Sequence, residues 1–151
     1  FYKRRDYTRV VNGRNPIVAH EFLGSSVEGK DVIILDDMIS SGESMIEVAT
    51  NLKQRKANRI FAASTFGLFT AGLDKFEEAY EQGLISRVLT TNLIYQTPEL
   101  LQRTWYISCD LSKYIAYIID TLNHDSSISD LLNPNERIQS NVSRYKTGDL
   151  Q

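Results

Sequence analysis

The stretch DVIILDDMISSGESM, residues 31–45, decides how this chain folds. Residues 32–35 are apolar and mostly β-branched, which is typical of a strand buried on both faces of a parallel sheet. Two adjacent acids, Asp36 and Asp37, follow this run, and a short run of serine and glycine comes next. From Ser44 onward the apolar residues recur with helical spacing. The stretch therefore predicts a strand, a turn and a helix in direct succession.

The predicted turn has the chemistry of an anion site. Ligands of open parallel sheets lie beyond the carboxyl ends of the strands, and a helix N-terminus presents N–H groups and a positive dipole end there. Gly42 can adopt backbone angles that other residues avoid, and the hydroxyls of Ser41 and Ser44 can donate hydrogen bonds. Because Asp36 and Asp37 would repel a phosphate, they suit sugar hydroxyls or a shared divalent cation. The pattern indicates a phosphorylated sugar; the alternative is that Ser44 only caps the helix and the acids are solvated.

Strands and helices alternate along the rest of the chain. Strands are predicted at 59–65, 87–95 and 104–109, and helices at 44–56, 73–82 and 110–123. This alternation predicts an α/β fold of three layers, with a mostly parallel sheet flanked by helices. Thr90, Thr91 and Asn92 end a strand on the presumed ligand side, where they either line the site or belong to the scaffold.

Three regions differ in composition. Residues 1–30 are basic and rich in turn formers, so they are predicted to be a flexible loop region with a catalytic role; the alternative is a solvated surface connection. Residues 31–132 carry the strand and helix patterns and form the predicted ligand-binding domain. Residues 133–151 lose periodicity and are predicted to be an exposed tail. The chain begins at Phe1 without Met, so we expect it to be part of a longer protein.

Composition excludes several classes of function. The chain has 151 residues, 42% of them hydrophobic, and a net charge of -2, which predicts a globular protein without the basic field that attracts nucleic acid. No apolar run approaches the roughly 20 residues of a membrane span. The single cysteine, Cys109, is typical of a reducing compartment and predicts a cytoplasmic location. His20 and His124 lack ligand spacing, so no metal site is predicted.

Five segments, in order along the chain, resemble the ribose-phosphate pyrophosphokinase family, the phosphoribosyl-diphosphate synthetases. An apolar strand, two acids and a small-residue turn also form the phosphoribosyl-diphosphate motif of type I phosphoribosyltransferases, whose fold the resemblance implies. The similar segments are KRR (3–5), VEGKDVIILDDMISSGES (27–44), STFGLFTAG (64–72), VLTTNLIY (88–95) and SSISDLL (126–132).

The resemblance implies transfer of a diphosphoryl group from ATP to ribose 5-phosphate, with Mg2+ brought by ATP. Lys3 and Arg5 would be catalytic, and Asp36 and Asp37 would hold the ribose hydroxyls. The residues implied to hold the 5-phosphate are Ser40, Ser41, Gly42, Glu43 and Ser44. The chain would be the C-terminal half of a homo-oligomeric enzyme, inactive without the N-terminal half that contains most of the ATP-binding elements.

Departures from the family pattern keep two alternatives open. The family has Asp-Thr-Gly-Gly-Thr where this chain has Ser40 to Ser44, so a carboxylate is lost at Ser40 and one is gained at Glu43. The first alternative is a phosphoribosyltransferase that attaches a base to phosphoribosyl diphosphate. The second is a non-catalytic homologue that regulates an active synthetase.

Overall fold

The computed structural model describes residues 2–5, 17–21 and 24–149, and for the first two ranges and Asp130 it describes the backbone only. The chain forms two compact units, Phe1–Cys109 and Asp110–Gln151. Within the described ranges, every helix is too short or too polar to cross a membrane.

The first unit contains a four-stranded parallel sheet in the order β3-β4-β5-β6 and a separate antiparallel pair, β1-β2. Its elements are β1 (Tyr2–Arg5), β2 (Ile17–Glu21), β3 (Val32–Ile39), α1 (Glu43–Gln54), β4 (Ile60–Gly67), α2 (Asp74–Glu81), β5 (Arg87–Thr91), α3 (Pro98–Leu101) and β6 (Tyr106–Cys109). The predicted strand–turn–helix and the parallel sheet are confirmed. The strand predicted at 87–95 ends earlier, at Thr91, and the short helix α3 was not predicted.

The core of this unit lies between α1, α2 and one face of the sheet. Ala49 and Leu52 of α1 and Phe76 of α2 are at most 2% exposed. They belong to the same buried cluster as Ile60 and Val88 from the sheet. The helical spacing of apolar residues predicted the buried stripe of α1, because residues three and four apart share one side of a helix.

The prediction that β3 is buried on both faces is wrong. Ile33 and Leu35 are 65% and 79% exposed, whereas Val32 and Ile34, on the opposite face, are partly buried against the core. β3 is one of the two edge strands of the four-stranded sheet. A continuous apolar run shows that both faces of a strand can be buried, but it does not show which elements cover them.

The second unit is helical. It contains α4 (Ser112–Asn123), α5 (Ser129–Leu132) and α6 (Asn135–Thr147). The Tyr114 hydroxyl of α4 donates to the Leu131 carbonyl at 2.6 Å, and the Arg137 guanidinium of α6 donates to the same carbonyl at 3.0 Å. The predicted exposed tail is helical over residues 135–147, which the sequence did not predict, and the side chains of this helix are exposed. Gly148 ends α6 with φ at +79°, a left-handed conformation typical of helix ends.

Candidate functional site

The turn between β3 and α1 forms a small open cavity. Ser40, Ser41 and Gly42 connect the last residue of the strand to the first residue of the helix. The cavity has a volume of about 160 Å³ and is lined by Asp36, Met38, Ile39, Ser40, Ser41, Gly42, Ser44 and Met45. Four of the five residues predicted to hold a phosphate therefore line one cavity, and we call the segment 40–44 the phosphate loop.

Two independent features of the structure favour glycine at position 42. Its φ is +82°, in the left-handed region that side chains disfavour. A Cβ atom at this position would also lie 2.3 Å from Cε2 and 2.5 Å from Cζ of Phe76. Phe76 is only 1% exposed, so its ring has little room to move. The predicted conformational freedom of Gly42 is confirmed, and the close approach of the Phe76 ring is an additional constraint.

The phosphate loop opens onto the N-terminus of α1. Gly42 is the N-cap residue and has no side chain that could accept a capping hydrogen bond, and Ser44 is the second residue of the helix. The alternative in which Ser44 caps the helix is therefore wrong. The Ile46 N–H donates to the Gly42 carbonyl at 3.0 Å. Because the N–H groups of a first turn have no acceptor inside their own helix, this end of α1 can donate to an anion.

The two acids lie inside β3 rather than after it, because pairing with β4 continues to Ile39. Successive residues of a strand point to opposite faces. Asp36 shares the face of Ile34 and lines the phosphate-loop cavity, whereas Asp37 shares the face of Leu35 and is absent from the cavity wall. The Asp36 carboxylate also accepts from the Asp37 N–H at 2.9 Å. The structure therefore brings Asp36, but not Asp37, to the phosphate loop.

A neighbouring segment braces the phosphate loop. The Thr70 N–H donates to the Ser40 carbonyl at 3.0 Å, and the Leu68 N–H donates to the Ile39 carbonyl at 2.8 Å. The hydroxyls of Ser40 and Thr70 are 3.4 Å apart. Sequence reasoning missed this role of Thr70, because nothing in the local pattern shows that the segment after β4 returns to the end of β3.

Glu43 lies outside the phosphate-loop cavity. Its carboxylate forms an ion pair of 2.6 Å with the ammonium group of Lys75, at the start of α2. Both residues line a second cavity, of about 370 Å³, between α1 and α2. The extra negative charge noted in the sequence is therefore directed toward α2 and is paired, a contact that sequence reasoning also missed.

Lys3 and Arg5 lie on β1, where Lys3 pairs with His20 of β2 and Arg5 pairs with Ile17. The predicted loop region thus contains an antiparallel strand pair. The side chains of Lys3 and Arg5 lie outside the described part of the chain, so their catalytic role stays a prediction.

Polar residues at the end of β5 and the start of β6 form a hydrogen-bond network. The hydroxyls of Thr90 and Tyr106 are 2.5 Å apart, and the Gln96 amide donates to the Tyr106 hydroxyl at 2.7 Å. Burial raises the pKa of Tyr106 above its ordinary value, although the Thr90 hydrogen bond partly offsets this. The Thr91 hydroxyl donates to the Thr65 carbonyl at 2.7 Å. Thr90 therefore contacts the first residue of β6 and Thr91 contacts the backbone of β4, so both have a scaffold role.

The described residues contain no cluster of metal-ligating side chains. Among them, no three His, Cys, Asp or Glu side chains are arranged to hold a metal ion. Asp36 and Asp37 cannot bind one metal ion together, because their side chains belong to opposite faces of β3.

Comparison with known proteins gives a consistent assignment. The profile of the phosphoribosyl synthetase-associated domain family matches residues 12–133. A ribose-phosphate pyrophosphokinase of Shewanella oneidensis is 33% identical over 103 residues, which cover 68% of this chain and 32% of the relative. An orotate phosphoribosyltransferase of Oceanobacillus iheyensis is 44% identical over 63 residues, 42% of this chain and 30% of that protein.

The fold is also found in a solved structure. Phosphoribosylpyrophosphate synthetase from Mycobacterium smegmatis matches with a TM-score of 0.59 and 20% identity, over 75% of this chain and 35% of that chain. This likeness confirms the predicted α/β fold with its parallel sheet and flanking helices. The chain spans about a third of the length of the curated pyrophosphokinases that it matches.

Proposed function

We propose that this chain, which belongs to the phosphoribosyl synthetase-associated domain family, is the ribose 5-phosphate-binding part of a ribose-phosphate pyrophosphokinase. Such an enzyme makes 5-phosphoribosyl 1-diphosphate from ATP and ribose 5-phosphate. The observation that carries the proposal is the phosphate loop, in which a left-handed Gly42, three serines and a helix N-terminus share one cavity with Asp36.

Each part of the site has a role in the proposal. The phosphate loop binds the 5-phosphate through the N–H groups of the first turn of α1 and through hydroxyl groups. Asp36 accepts hydrogen bonds from ribose hydroxyls on the cavity side, whereas Asp37, on the opposite face of β3, contributes less because it does not line the cavity. Lys3 and Arg5 stabilise charge on the transferring phosphates, because positioning and electrostatics govern phosphoryl transfer.

The remaining components come from outside this chain. Mg2+ is brought with ATP and neutralises charge on its phosphates. None of the described residues forms a cluster that would hold this ion. The ATP-binding elements belong to a further part of the protein, so the 151-residue chain alone is inactive. A cytoplasmic homo-oligomer is part of the same proposal.

A binding experiment on the chain tests the site. Ribose 5-phosphate and inorganic sulfate should both bind, since both present an anion to the loop. We expect Asp36→Asn to weaken ribose 5-phosphate about tenfold, since hydrogen bonds to a charged group contribute about 1.5–3 kcal/mol. Sulfate should bind as tightly as before or more tightly, because it has no hydroxyls and a negative charge is removed. Isothermal titration with both ligands measures the difference.

The matched control is Asp37→Asn, which makes the same chemical change on the opposite face of β3. We expect a smaller loss of ribose 5-phosphate affinity, because Asp37 does not line the cavity. Equal losses of both ligands in Asp36→Asn would contradict the assignment of this carboxylate to the sugar.

The match to an orotate phosphoribosyltransferase favours a second candidate. A phosphoribosyltransferase would use the same loop to bind phosphoribosyl diphosphate and then attach a base. An assay of the longer protein separates the candidates: AMP formed from ATP and ribose 5-phosphate identifies a synthetase, and base-dependent release of diphosphate identifies a transferase. Neither product is expected of a non-catalytic regulator.

A further inference from the structure

We infer that Lys75 keeps the phosphate loop able to bind an anion by holding the carboxylate of Glu43 away from it. This inference rests on the proposed function, since it concerns the ribose 5-phosphate site. Lys75 acts as a positioning residue: it acts through Glu43 and lies outside the phosphate-loop cavity.

Glu43 occupies a position that opposes anion binding. It is the first residue of α1, directly after the N-cap Gly42 and within the phosphate loop. A carboxylate in the first turn is attracted by the same N–H groups and the same dipole end that would bind a phosphate. Glu43 can therefore repel the ligand or compete with it for these donors.

The ion pair turns this carboxylate toward α2. The Lys75 ammonium group lies 2.6 Å from Glu43 Oε1, and the two side chains are 49% and 57% exposed. Both line the cavity between the helices, together with Glu47 and Glu78. Lys75 is the only cation among the residues that line this cavity, so its removal would leave three carboxylates there.

The position of Lys75 does not benefit its own helix. It is the second residue of α2, where a positive charge opposes the helix dipole, whereas Asp74 beside it is favourable. The contact with Glu43 therefore accounts for a lysine that α2 alone would disfavour.

A cycle of variants tests the inference, with affinity for ribose 5-phosphate and inorganic phosphate as the readout. At low sodium chloride concentration we expect Lys75→Met to weaken both ligands about three- to fivefold. Glu43→Gln should tighten them by a smaller factor, because Lys75 already holds this carboxylate away from the loop. In the Glu43→Gln background, Lys75→Met should have less than about a twofold effect, because the charge that it controls is gone. High salt should shrink all of these differences.

Matched controls come from the ion pair of Lys56 with Glu28, at 2.9 Å and with both side chains exposed. Lys56 lies past the other end of α1, which alone spans about 17 Å at about 1.5 Å per residue. Lys56→Met and Glu28→Gln change net charge in the same way, and we expect both to leave the affinities within about twofold. Thermal unfolding of each variant checks that the fold is intact.

The outcomes separate the inference from its premise. A wild-type chain that binds neither ligand overturns the proposed function and the inference with it. A wild-type chain that binds, while Lys75→Met has no effect, overturns the inference alone. An equal loss in the wild-type and Glu43→Gln backgrounds also overturns it, since Lys75 would then attract the anion directly.

Discussion

Gly42→Val is expected to abolish binding of both ribose 5-phosphate and sulfate and to destabilise the fold. A side chain at this position must adopt a left-handed conformation, which costs about 1–2 kcal/mol and more for a β-branched residue. It must also displace the Phe76 ring, which a Cβ atom would approach to 2.3 Å. Overpacking of a core typically costs about 1–3 kcal/mol. We expect a loss of at least tenfold in both affinities by titration, together with a clear drop in the denaturation midpoint.

The chain offers a matched control for this glycine. Gly29 has a similar φ of +70°, but a Cβ atom there would meet nothing within 4 Å. Gly29→Ala therefore carries the left-handed penalty alone, and Gly42→Ala carries that penalty plus the contact with Phe76. We expect Gly42→Ala to lose about 1–3 kcal/mol more unfolding free energy than Gly29→Ala. If Gly42→Ala and Gly29→Ala destabilised the fold equally and Gly42→Val left both ligand affinities unchanged, the anion site would lie elsewhere.

The turn between β3 and α1 was predictable from sequence because its chemistry is local. A glycine among serines, placed between an apolar run and a helical pattern, restricts the chain to few conformations. The extent of β3 was not predictable in this way. The strand continues through both acids because Asp36 pairs with Ser64 and Met38 pairs with Phe66 on β4. Such register depends on a partner strand that the local pattern does not specify.

The contacts that modify the site are tertiary and were missed for that reason. Lys75 and Thr70 lie more than 25 residues beyond the phosphate loop, and only the packing of α2 and the preceding segment brings them to Glu43 and Ser40. α6 was missed for a different reason: it is exposed along its length and so lacks the apolar stripe that reveals a packed helix.

Replacement of Lys3 or Arg5 by alanine is expected to have the largest effect on catalysis. In the longer protein that the proposal requires, we expect either change to lower kcat about a hundredfold or more. The KM for ribose 5-phosphate should change far less. Removal of one preorganised charge from a transition state costs about 3 kcal/mol, and a residue that acts only in the transition state affects kcat rather than ground-state binding. Steady-state kinetics of AMP formation measures both parameters.

The control for this prediction is Arg4→Ala, which removes one positive charge from the same strand, between the two residues tested. A general loss of positive charge would affect all three variants alike and would grow weaker at high salt. A specific role predicts that Lys3→Ala and Arg5→Ala lose kcat while Arg4→Ala retains most of it. Binding of ribose 5-phosphate to the 151-residue chain should survive all three changes, because the phosphate loop and Asp36 lie in a different segment. An unchanged kcat in both Lys3→Ala and Arg5→Ala would show that β1 does not supply the catalytic charge.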